Sequence, residues 1–500
     1  MLSHAPTPVA LTLSGAPSPA RPSSIKATAG KISPLSPVVL VGLVRFADFT
    51  IAVVSGFVMA VLYHGAPDVM ADLLYGAMIV LAGASTVIAL DLLGLYSSRQ
   101  LSAFHLNVPC LLLGWSAAFA VVGVIVFFLK AGADLSRGWL ALWFVAGGIA
   151  LIAARGGVSL SLRRLAKSGR LQRRAVIYGT GRLTDDLIQS LEHDEGSEIQ
   201  IVGVFDDRGD ERARGPDGYP RLGGLNDLLD VARAMRVDLV IVALPVAGEQ
   251  RLHDIATRLS VLPADIRLPA QATQIRLSQR LYSHVGPVAM IDLYDRPIAD
   301  WDHVIKSTFD KAIGFLALVA LSPVMLAVAI AIKLDSRGPV LFRQKRYGFN
   351  NELIEVLKFR SMHTDMCDAN ANKLVTKADP RVTRVGRFIR KTSLDELPQL
   401  LNVLKGDLSL VGPRPHAVAA KAADRLYNEI VARYYARHKV KPGITGWAQI
   451  SGWRGETDTD EKIEKRVEHD LHYIENWSVF FDLYILAMTP TALLKTENAY

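Results

Sequence analysis

One stretch near the carboxyl end places two adjacent carboxylates among many basic side chains. Asp395 and Glu396 stand next to each other within positions 379–415. The basic residues of this stretch are Arg381, Arg384, Arg387, Arg390, Lys391, Lys405 and Arg414. A carboxylate that stays ionised among guanidinium groups is suited to act as a nucleophile. The stretch therefore indicates chemistry on a phosphate-bearing compound, and the alternative is a capped helix beside a solvated basic surface.

The local sequence also predicts how Asp395 is positioned. The segment Ser393-Leu-Asp-Glu396 has the form of a capping box, in which Ser393 and Glu396 satisfy free amides at a helix start. The helix is then predicted to continue through positions 397–405 and to end at Gly406, which tolerates a left-handed backbone. Asp395 would thus lie at the positive end of a helix dipole, which favours its ionised form.

The basic side chains match phosphate chemistry, because arginine pairs with phosphate oxygens in a fork and lysine acts as a point charge. The candidate phosphate-binding residues are Lys358, Arg360, Arg381, Arg384, Arg387, Arg390 and Arg414. Carboxylates among such cations also suit Mg²⁺, which takes one or two carboxylates together with phosphate oxygens and water. Nucleic acid is disfavoured as the partner, since the chain contains no recognised nucleic-acid module and the basic cluster is tied to an apolar segment.

The composition indicates a membrane protein. Half of the 500 residues are hydrophobic and the formal net charge is +8. Residues 1–36 are rich in alanine, proline and serine, which predicts a disordered tail. Apolar stretches that approach the roughly 20 residues needed to cross a bilayer follow at positions 37–63, 72–96, 106–129 and 138–154.

These stretches predict a unit of four transmembrane helices over positions 37–155. Basic residues precede the first stretch and are concentrated after the fourth, so the positive-inside rule places both ends of the unit in the cytoplasm. Two aspartates, Asp48 and Asp91, lie within the apolar stretches. We expect each to form an internal ion pair or hydrogen bond.

The middle of the chain, positions 174–280, alternates strands and helices in the manner of a Rossmann-like domain. Its glycine loop contains Gly179 and Gly181, but Thr184 stands where the third glycine of the dinucleotide fingerprint would be. Asp206 and Asp207 end a later strand, where an acid could bind a ribose. Because the fingerprint is incomplete, a packing or regulatory domain is favoured over a nucleotide-binding one. Positions 281–305 are predicted to be a linker.

A fifth apolar segment, predicted as a helix over 311–334, is interrupted in its middle by Ser322-Pro323. Basic residues flank it on both sides, namely Lys306, Lys311, Lys333 and Arg337. This pattern predicts a re-entrant helix that enters one leaflet and returns, with Ser322 capping a group that Pro323 frees. The alternative is a plain fifth crossing, which would place the basic sequence outside, away from any nucleotide donor. Downstream, positions 339–360 predict a β-hairpin with its turn at 348–351.

From Lys306 onward the chain resembles the bacterial polyprenyl-phosphate sugar-1-phosphate transferases, the monotopic phosphoglycosyl transferases. The motifs that carry the resemblance are Ser322-Pro323, Phe342-Arg-Gln-Lys-Arg346, Lys358-Phe-Arg-Ser-Met362, Asp379-Pro-Arg381, Ser393-Leu-Asp-Glu-Leu-Pro-Gln399, Leu410-Val-Gly-Pro-Arg-Pro415 and Pro442-Gly-Ile-Thr-Gly446. The four helices and the middle domain resemble the large members. Positions 452–459 resemble the undecaprenyl-phosphate glucose phosphotransferases of exopolysaccharide synthesis. Ser307 stands where the family often has arginine, so a basic contact near the membrane is missing.

The resemblance implies a two-step exchange in an α+β catalytic domain over 306–500. Asp395 would attack the β-phosphate of a UDP-sugar, and undecaprenyl phosphate would then attack the sugar-phosphoryl aspartate. Glu396 matches a residue that helps to hold Mg²⁺. Lys358, Arg360 and Arg390 match positions near the phosphates. The implied location is the inner membrane, with the catalytic domain on the cytoplasmic face and a homodimer as the possible assembly.

Two other classes of protein stay open. A membrane-bound nucleotide-sugar dehydratase or epimerase would need a second, complete glycine fingerprint and a Tyr-x-x-x-Lys pair, and the last 200 positions contain no such glycine loop. A non-catalytic scaffold would use the basic cluster only to bind anionic membrane lipids. Among sugars, glucose is favoured, galactose is second and an N-acetylated sugar third. The polysaccharide and the ligand of the middle domain are left open.

Overall fold

The structure is a computed structural model. It describes residues 36–65, 73–97, 100–101, 104–130, 135–167, 172–193, 199–208, 219, 221–244, 249–272, 282–364, 379–415, 421–422, 425–426, 434–453 and 459–494. The predicted tail therefore lies outside the described residues, except for Ser36. Within the described residues, five helices are long and apolar enough to cross a membrane.

Four of the apolar helices come first and pack against one another. They are α1 (Pro37–His64), α2 (Leu73–Leu92), α3 (Phe104–Phe128) and α4 (Arg137–Lys167). Buried tryptophans fill the space between them, and their indole N–H groups bond backbone carbonyls of neighbouring helices. Trp139 donates to the carbonyl of Gly56 (3.1 Å), and Trp143 donates to that of Ala52 (3.0 Å). Because Gly56 has no side chain, the ring of Trp143 lies directly against α1.

Both aspartates within this group are paired, but only Asp48 forms the buried pair that the sequence predicts. Asp48 is buried and accepts hydrogen bonds from Arg155 (2.6 Å) and from the Tyr96 hydroxyl (2.9 Å). Asp91 pairs with Arg45 at a more exposed position. A buried charge is tolerated when it is paired and hydrogen-bonded. Asp48 and Arg155 therefore tie α1 to α4.

A six-stranded sheet forms the middle domain, in the order β2-β1-β3-β4-β6-β5. Its strands are β1 (Arg173–Tyr178), β2 (Ile199–Phe205), β3 (Leu239–Val242), β4 (Asp265–Pro269), β5 (Tyr282–Val285) and β6 (Val288–Tyr294). Its helices are α5 (Arg182–Glu192), α6 (Leu225–Ala234) and α7 (Glu249–Leu259). The first four strands are parallel, whereas β6 and β5 join antiparallel.

The predicted linker at 281–305 is wrong, because β5 and β6 form a hairpin that extends the sheet. Gly286 has φ 59°, which the tight turn between the two strands requires. Val288 and Met290 then point into the core of the domain. The following helix, α8 (Asp300–Asp335), also begins inside the predicted linker.

Helix α8 is the fifth apolar helix, and it runs continuously through the Ser-Pro pair, so the predicted break of the helix at Ser322-Pro323 is wrong. The Ser322 hydroxyl donates to the carbonyl of Val319 (2.8 Å). That carbonyl is the one to which an N–H at position 323 would normally donate, and Pro323 has none. The predicted capping by Ser322 is therefore confirmed.

A smaller α+β body follows and contains the acidic pair. Its strands are β7 (Leu341–Tyr347), β8 (Leu353–Phe359), β9 (Ser409–Val411), β10 (Lys421–Ala422), β11 (Arg425–Leu426) and β12 (Gly443–Thr445). Its helices are α9 (Arg384–Lys391), α10 (Gln399–Lys405), α11 (Trp447–Ile450), α12 (Asp460–Glu475) and α13 (Val479–Leu494). Strands β7 and β8 pair antiparallel, which confirms the predicted hairpin. Strands β9 and β12 are parallel.

We expect Asp48→Asn to destabilise the protein, because it leaves Arg155 as an unpaired buried charge. Breaking such a pair from one side costs about 3 kcal/mol of unfolding free energy. Thermal unfolding in detergent measures the loss. Asp230→Asn is the matched control, since its pair with Arg233 is exposed. Equal melting temperatures for the two variants would contradict the prediction.

Candidate functional site

The acidic pair lies on a single 3₁₀ turn, Leu394–Glu396, between α9 and α10. Ser393 has a left-handed backbone (φ 58°), and its side chain makes no cap hydrogen bond. Helix α10 begins only at Gln399. The predicted capping box is therefore wrong: the chain reverses direction at Ser393. Gly406 does end α10 in a left-handed conformation (φ 91°), as predicted.

Glu396 does not cap a helix because its carboxylate binds two cations from distant elements. Lys358 on β8 lies 2.9 Å from Oε1 of Glu396. Arg414, which follows β9, approaches both carboxylate oxygens, at 2.6 Å from Oε1 and 3.3 Å from Oε2. All three side chains are largely buried. The sequence prediction placed Lys358 and Arg414 near phosphates, and the structure brings both to the acidic pair.

Asp395 differs from its neighbour, since none of the described residues donates a hydrogen bond to its carboxylate. The side chain is half-buried. Burial raises the pKa of Asp395, and the charge of Glu396 raises it further, while Lys358, Arg390 and Arg414 oppose both effects. The predicted helix-terminus stabilisation of the ionised form is therefore wrong. The surrounding cations favour ionisation as expected, but loss of water outweighs them.

A further arginine, Arg346 on β7, belongs to the same cluster. Its guanidinium donates to the carbonyl of Pro415 (2.5 Å) and to the side chain of Gln344 (2.9 Å). Burial lowers the pKa of Arg346 to about 10, and the neighbouring charge of Arg414 contributes to the shift. The sequence prediction did not name this residue as part of the site. Strand alternation was the available signal, because positions 342, 344 and 346 share the face that meets Lys358.

The other predicted phosphate-binding residues are placed differently. Arg390, at the end of α9, lies close enough for its charge to lower the pKa of Asp395. Arg381 forms a fork with Asp379 at 2.6 to 3.0 Å. Arg360 is buried and donates to the carbonyls of Ser336 and Arg337 (both 2.8 Å). The structure therefore does not bring Arg360 into the cluster, since it closes the end of α8 instead.

The acidic pair fits Mg²⁺ only together with substrate phosphates. Among the described residues, no group of three or more His, Cys, Asp or Glu side chains could hold a metal ion alone. Magnesium commonly uses one or two carboxylates, completed by phosphate oxygens and water. Asp395 and Glu396 supply two adjacent carboxylates, and the cations around them would balance the charge of bound phosphate oxygens. Glu396 is the candidate ligand in that arrangement.

The glycine loop of the middle domain is closed by its own side chains. Asp206 accepts hydrogen bonds from the backbone N–H of Thr180 (2.9 Å) and from its hydroxyl (2.7 Å). Arg208 pairs with Asp206 (2.7 Å) and donates to the carbonyl of Thr180 (2.5 Å). Asp207 accepts from the Tyr178 hydroxyl (2.7 Å) and from the N–H of Leu225 (2.7 Å). The groups that would hold a phosphate and a ribose thus bind each other, so the loop does not fit a nucleotide.

We expect Glu396→Gln to destabilise the protein by about 3 kcal/mol at pH 7, because Lys358 and Arg414 lose their counter-charge. Burial alone would raise the pKa of Glu396. The charges of Arg414 and Lys358 nevertheless hold that pKa well below the usual glutamate value. The stabilisation is therefore complete above about pH 4.5 and is lost as the pH falls further. Thermal unfolding of both proteins across this range tests the sign. The control is Glu468→Gln, whose pair with Lys465 is exposed. A difference that persists unchanged at low pH would refute the assignment.

Two family models match the chain. The bacterial sugar transferase model matches residues 301–496, and a CoA-binding domain model matches residues 91–270. The second match covers the glycine loop. The contacts of Asp206 and Asp207 do not fit the nucleotide part of a coenzyme A, so no step is assigned to that cofactor.

Three relatives show the range of similarity, and the one from Xanthomonas campestris pv. campestris matches over almost its whole length. An undecaprenyl-phosphate glucose phosphotransferase of Komagataeibacter xylinus is 42% identical over 332 residues. The match covers 66% of this chain and 61% of the relative, so the chain spans less than two thirds of that protein. A UDP-glucose:undecaprenyl-phosphate glucose-1-phosphate transferase of Xanthomonas campestris pv. campestris is 34% identical over 460 residues, 91% of this chain and 94% of the relative. A UDP-N-acetylgalactosamine-undecaprenyl-phosphate N-acetylgalactosaminephosphotransferase of Aeromonas hydrophila is 44% identical over 196 residues, 39% of this chain and 45% of the relative. The chain therefore belongs to the polyprenyl-phosphate sugar-1-phosphate transferases.

Proposed function

We propose that this protein transfers a hexose-1-phosphate, with glucose as the first candidate sugar, from a UDP-sugar to undecaprenyl phosphate and releases UMP. The reaction would start a lipid-linked unit of an exopolysaccharide. The observation that carries the proposal is the acidic turn. Glu396 is held by Lys358 and Arg414, while Asp395 beside it has no hydrogen-bond donor among the described residues. The names of the relatives agree with this chemistry.

Two displacements at one phosphorus atom describe the reaction. A carboxylate oxygen of Asp395 attacks the β-phosphorus, the bond to the bridging oxygen breaks, and UMP leaves. An oxygen of the lipid phosphate then attacks the same phosphorus, and the Asp395 carboxylate leaves. Splitting one transfer into two steps is the usual gain of a covalent nucleophile. Burial strips water from Asp395, which makes its ionised form more reactive.

The cations around the turn offset the negative charge of the transferring phosphoryl group. Lys358 and Arg414 already lie within 3 Å of Glu396, so no large movement is needed to bring them to a phosphate beside Asp395. Mg²⁺ held by Glu396 and the substrate phosphates would supply further charge neutralisation. Arg390 and Arg346 are close enough to add to the positive field.

Asp395→Asn tests the covalent step. We expect UMP release from UDP-glucose to fall at least about 10³-fold, because the amide is a poor nucleophile. Purified protein is incubated with undecaprenyl phosphate, Mg²⁺ and UDP-glucose labelled on the β-phosphate, and UMP and protein-bound label are both measured. Asp302→Asn, an exposed carboxylate in the first turn of α8, is the control.

Wild-type release of UMP by Asp395→Asn would rule out the covalent mechanism. Absence of UMP from the wild-type protein with every UDP-hexose tested would refute the proposed function itself. The substrate series includes UDP-galactose and the N-acetylated UDP-hexoses. The relative from Aeromonas hydrophila uses an N-acetylated sugar although it matches the catalytic region at 44% identity, so overall similarity does not choose the sugar.

We further propose that α8 is re-entrant, so that both of its ends lie on one side of the membrane. Contacts at its two ends support this topology. Near the start, the Lys306 ammonium donates to the carbonyl of Val411 (3.1 Å). At the end, Asp335 accepts a hydrogen bond from the N–H of Val385 (3.1 Å). Val411 and Val385 both belong to the same α+β body. If α8 crossed the bilayer in a straight line, its two ends would lie on opposite sides and could not both contact that body.

The two halves of α8 also pack on that one body. Ile313 and Leu321, in the first half, join a cluster that includes Val403 of α10. Val328, in the second half, joins a cluster that includes Ile389 of α9. One sequence argument for the topology needs revision, since Lys306 is buried between Asp310 and Asp482 and is not a free flanking charge. Lys311 is then the basic residue that satisfies the positive-inside rule at the start of α8.

The cytoplasmic face is proposed for the catalytic domain because α8 starts beside the amino end of α1. The Ser36 hydroxyl donates to Asp300 (2.5 Å), and the Trp301 ring packs on Gly42. The positive-inside rule places the amino end of α1 in the cytoplasm. A catalytic domain on this face of the inner membrane meets cytoplasmic UDP-sugars. The four preceding helices then form the transmembrane unit.

Cysteine labelling tests this topology. Cys110 and Cys367 are first replaced by alanine, and single cysteines are introduced as Asp302→Cys, Arg343→Cys or Lys130→Cys. In intact spheroplasts, an impermeant maleimide should label only Lys130→Cys, in the predicted outer loop. The positions near the two ends of α8, 302 and 343, should react only after lysis. Labelling of Arg343→Cys before lysis would establish a plain crossing instead.

A further inference from the structure

A buried polar network joins the start of α8 to the strand that leads to Arg414. The Lys306 ammonium donates to Asp310 (3.1 Å), to Asp482 (2.7 Å) and to the carbonyl of Val411 (3.1 Å). The Tyr473 hydroxyl lies 2.8 Å from Asp482 and 3.0 Å from the same carbonyl. Side chains of α8 and α12 thus reach one backbone carbonyl of β9, to which the Ser409 hydroxyl also donates (2.8 Å), and Asp482 of α13 binds both of those side chains.

The network satisfies its buried charges. Asp482 is fully buried, and its second oxygen accepts from the Trp477 indole (3.1 Å) as well as from Lys306. Asp310 also accepts from the Ser409 hydroxyl (2.8 Å) and from the N–H of Leu410 (3.1 Å). Such complete pairing offsets much of the desolvation cost of the ions. The paired side chains therefore fix one another in position, and we expect the removal of one side chain to disturb the others.

The backbone between this network and Arg414 is short and held on both sides. The N–H of Gly412 donates to the carbonyl of Thr445 (2.9 Å), and the N–H of Gly443 donates to that of Pro413 (3.0 Å). A side chain at position 412 would overlap the facing strand, at 2.6 Å from the carbonyl of Lys441. We therefore expect a shift of the Val411 carbonyl to move Arg414 as well.

We propose that Lys306, Tyr473 and Asp482 are positioning residues, which hold the carbonyl of Val411 so that Arg414 reaches Glu396 beside the nucleophile. None of them touches the acidic turn. The inference rests on the proposed function for its kinetic test, and on the Arg414–Glu396 pair alone for its second test. It also means that the packing of α8 against α13 sets the geometry of the site.

Tyr473→Phe provides the kinetic test, because it removes one hydroxyl and keeps the ring. Losing that hydrogen bond should lower kcat for UMP release about tenfold, which corresponds to the typical strength of one such bond. Tyr484→Phe is the matched control, since that ring is exposed on α13 and belongs to no part of the site. A variant that melts lower but keeps the wild-type kcat would show a purely structural role and overturn the proposal.

A double-mutant cycle tests the same idea without any turnover. Tyr473 does not contact Glu396, so the melting-temperature losses of Tyr473→Phe and Glu396→Gln should add if the network is unrelated to the site. We expect the double variant to lose clearly less than the sum, because each substitution weakens the same Arg414–Glu396 pair. Strict additivity overturns the positioning role. Because the cycle needs no UMP release, it decides the question even if the proposed function fails.

Discussion

The ion pairs of Glu396 are the interaction on which the catalytic domain depends. They hold Lys358 of β8 and Arg414 of the segment after β9 against one carboxylate, although the two cations come from distant parts of the chain. Because these charges are mostly removed from water, each requires the others. The pairing also divides the acidic turn into two roles. Glu396 anchors the cations, whereas Asp395 accepts no hydrogen bond from the described residues.

The same turn is held from the membrane side. Leu394 and Leu397, on either side of the acidic pair, pack in one cluster with Val328 of α8. Two positions before Val328 on the same helix, Leu326 is exposed, as expected for a face that meets lipid. An acceptor with a long apolar chain and a phosphate head fits this arrangement, since the chain can lie along α8 while the phosphate reaches Asp395.

Local patterns in the sequence predicted the features that depend on neighbouring residues. The end of α10 at Gly406 and the bond from Ser322 to Val319 follow from interactions within a few positions, and both were correct. Two errors at the site have one physical cause. Glu396 and Arg360 both bind residues that are distant in the sequence, and these contacts override the local preferences. Glu396 forms an ion pair with Arg414 instead of capping a helix. Arg360 binds the backbone at the end of α8 instead of lying among the phosphate-binding residues. No spacing in the chain reveals such partners.

The middle domain contacts the catalytic body directly. Its helix α6 meets the tip of the β7–β8 hairpin, where the Asn350 amide donates to the carbonyl of Ala232 (3.1 Å). Next to it, the guanidinium of Arg233 lies 4.3 Å from the centre of the Tyr435 ring. That hairpin carries Arg346 and, on its other strand, Lys358. A domain whose glycine loop is closed by its own side chains can therefore still matter for catalysis, because it fixes the strands that present cations to the acidic turn.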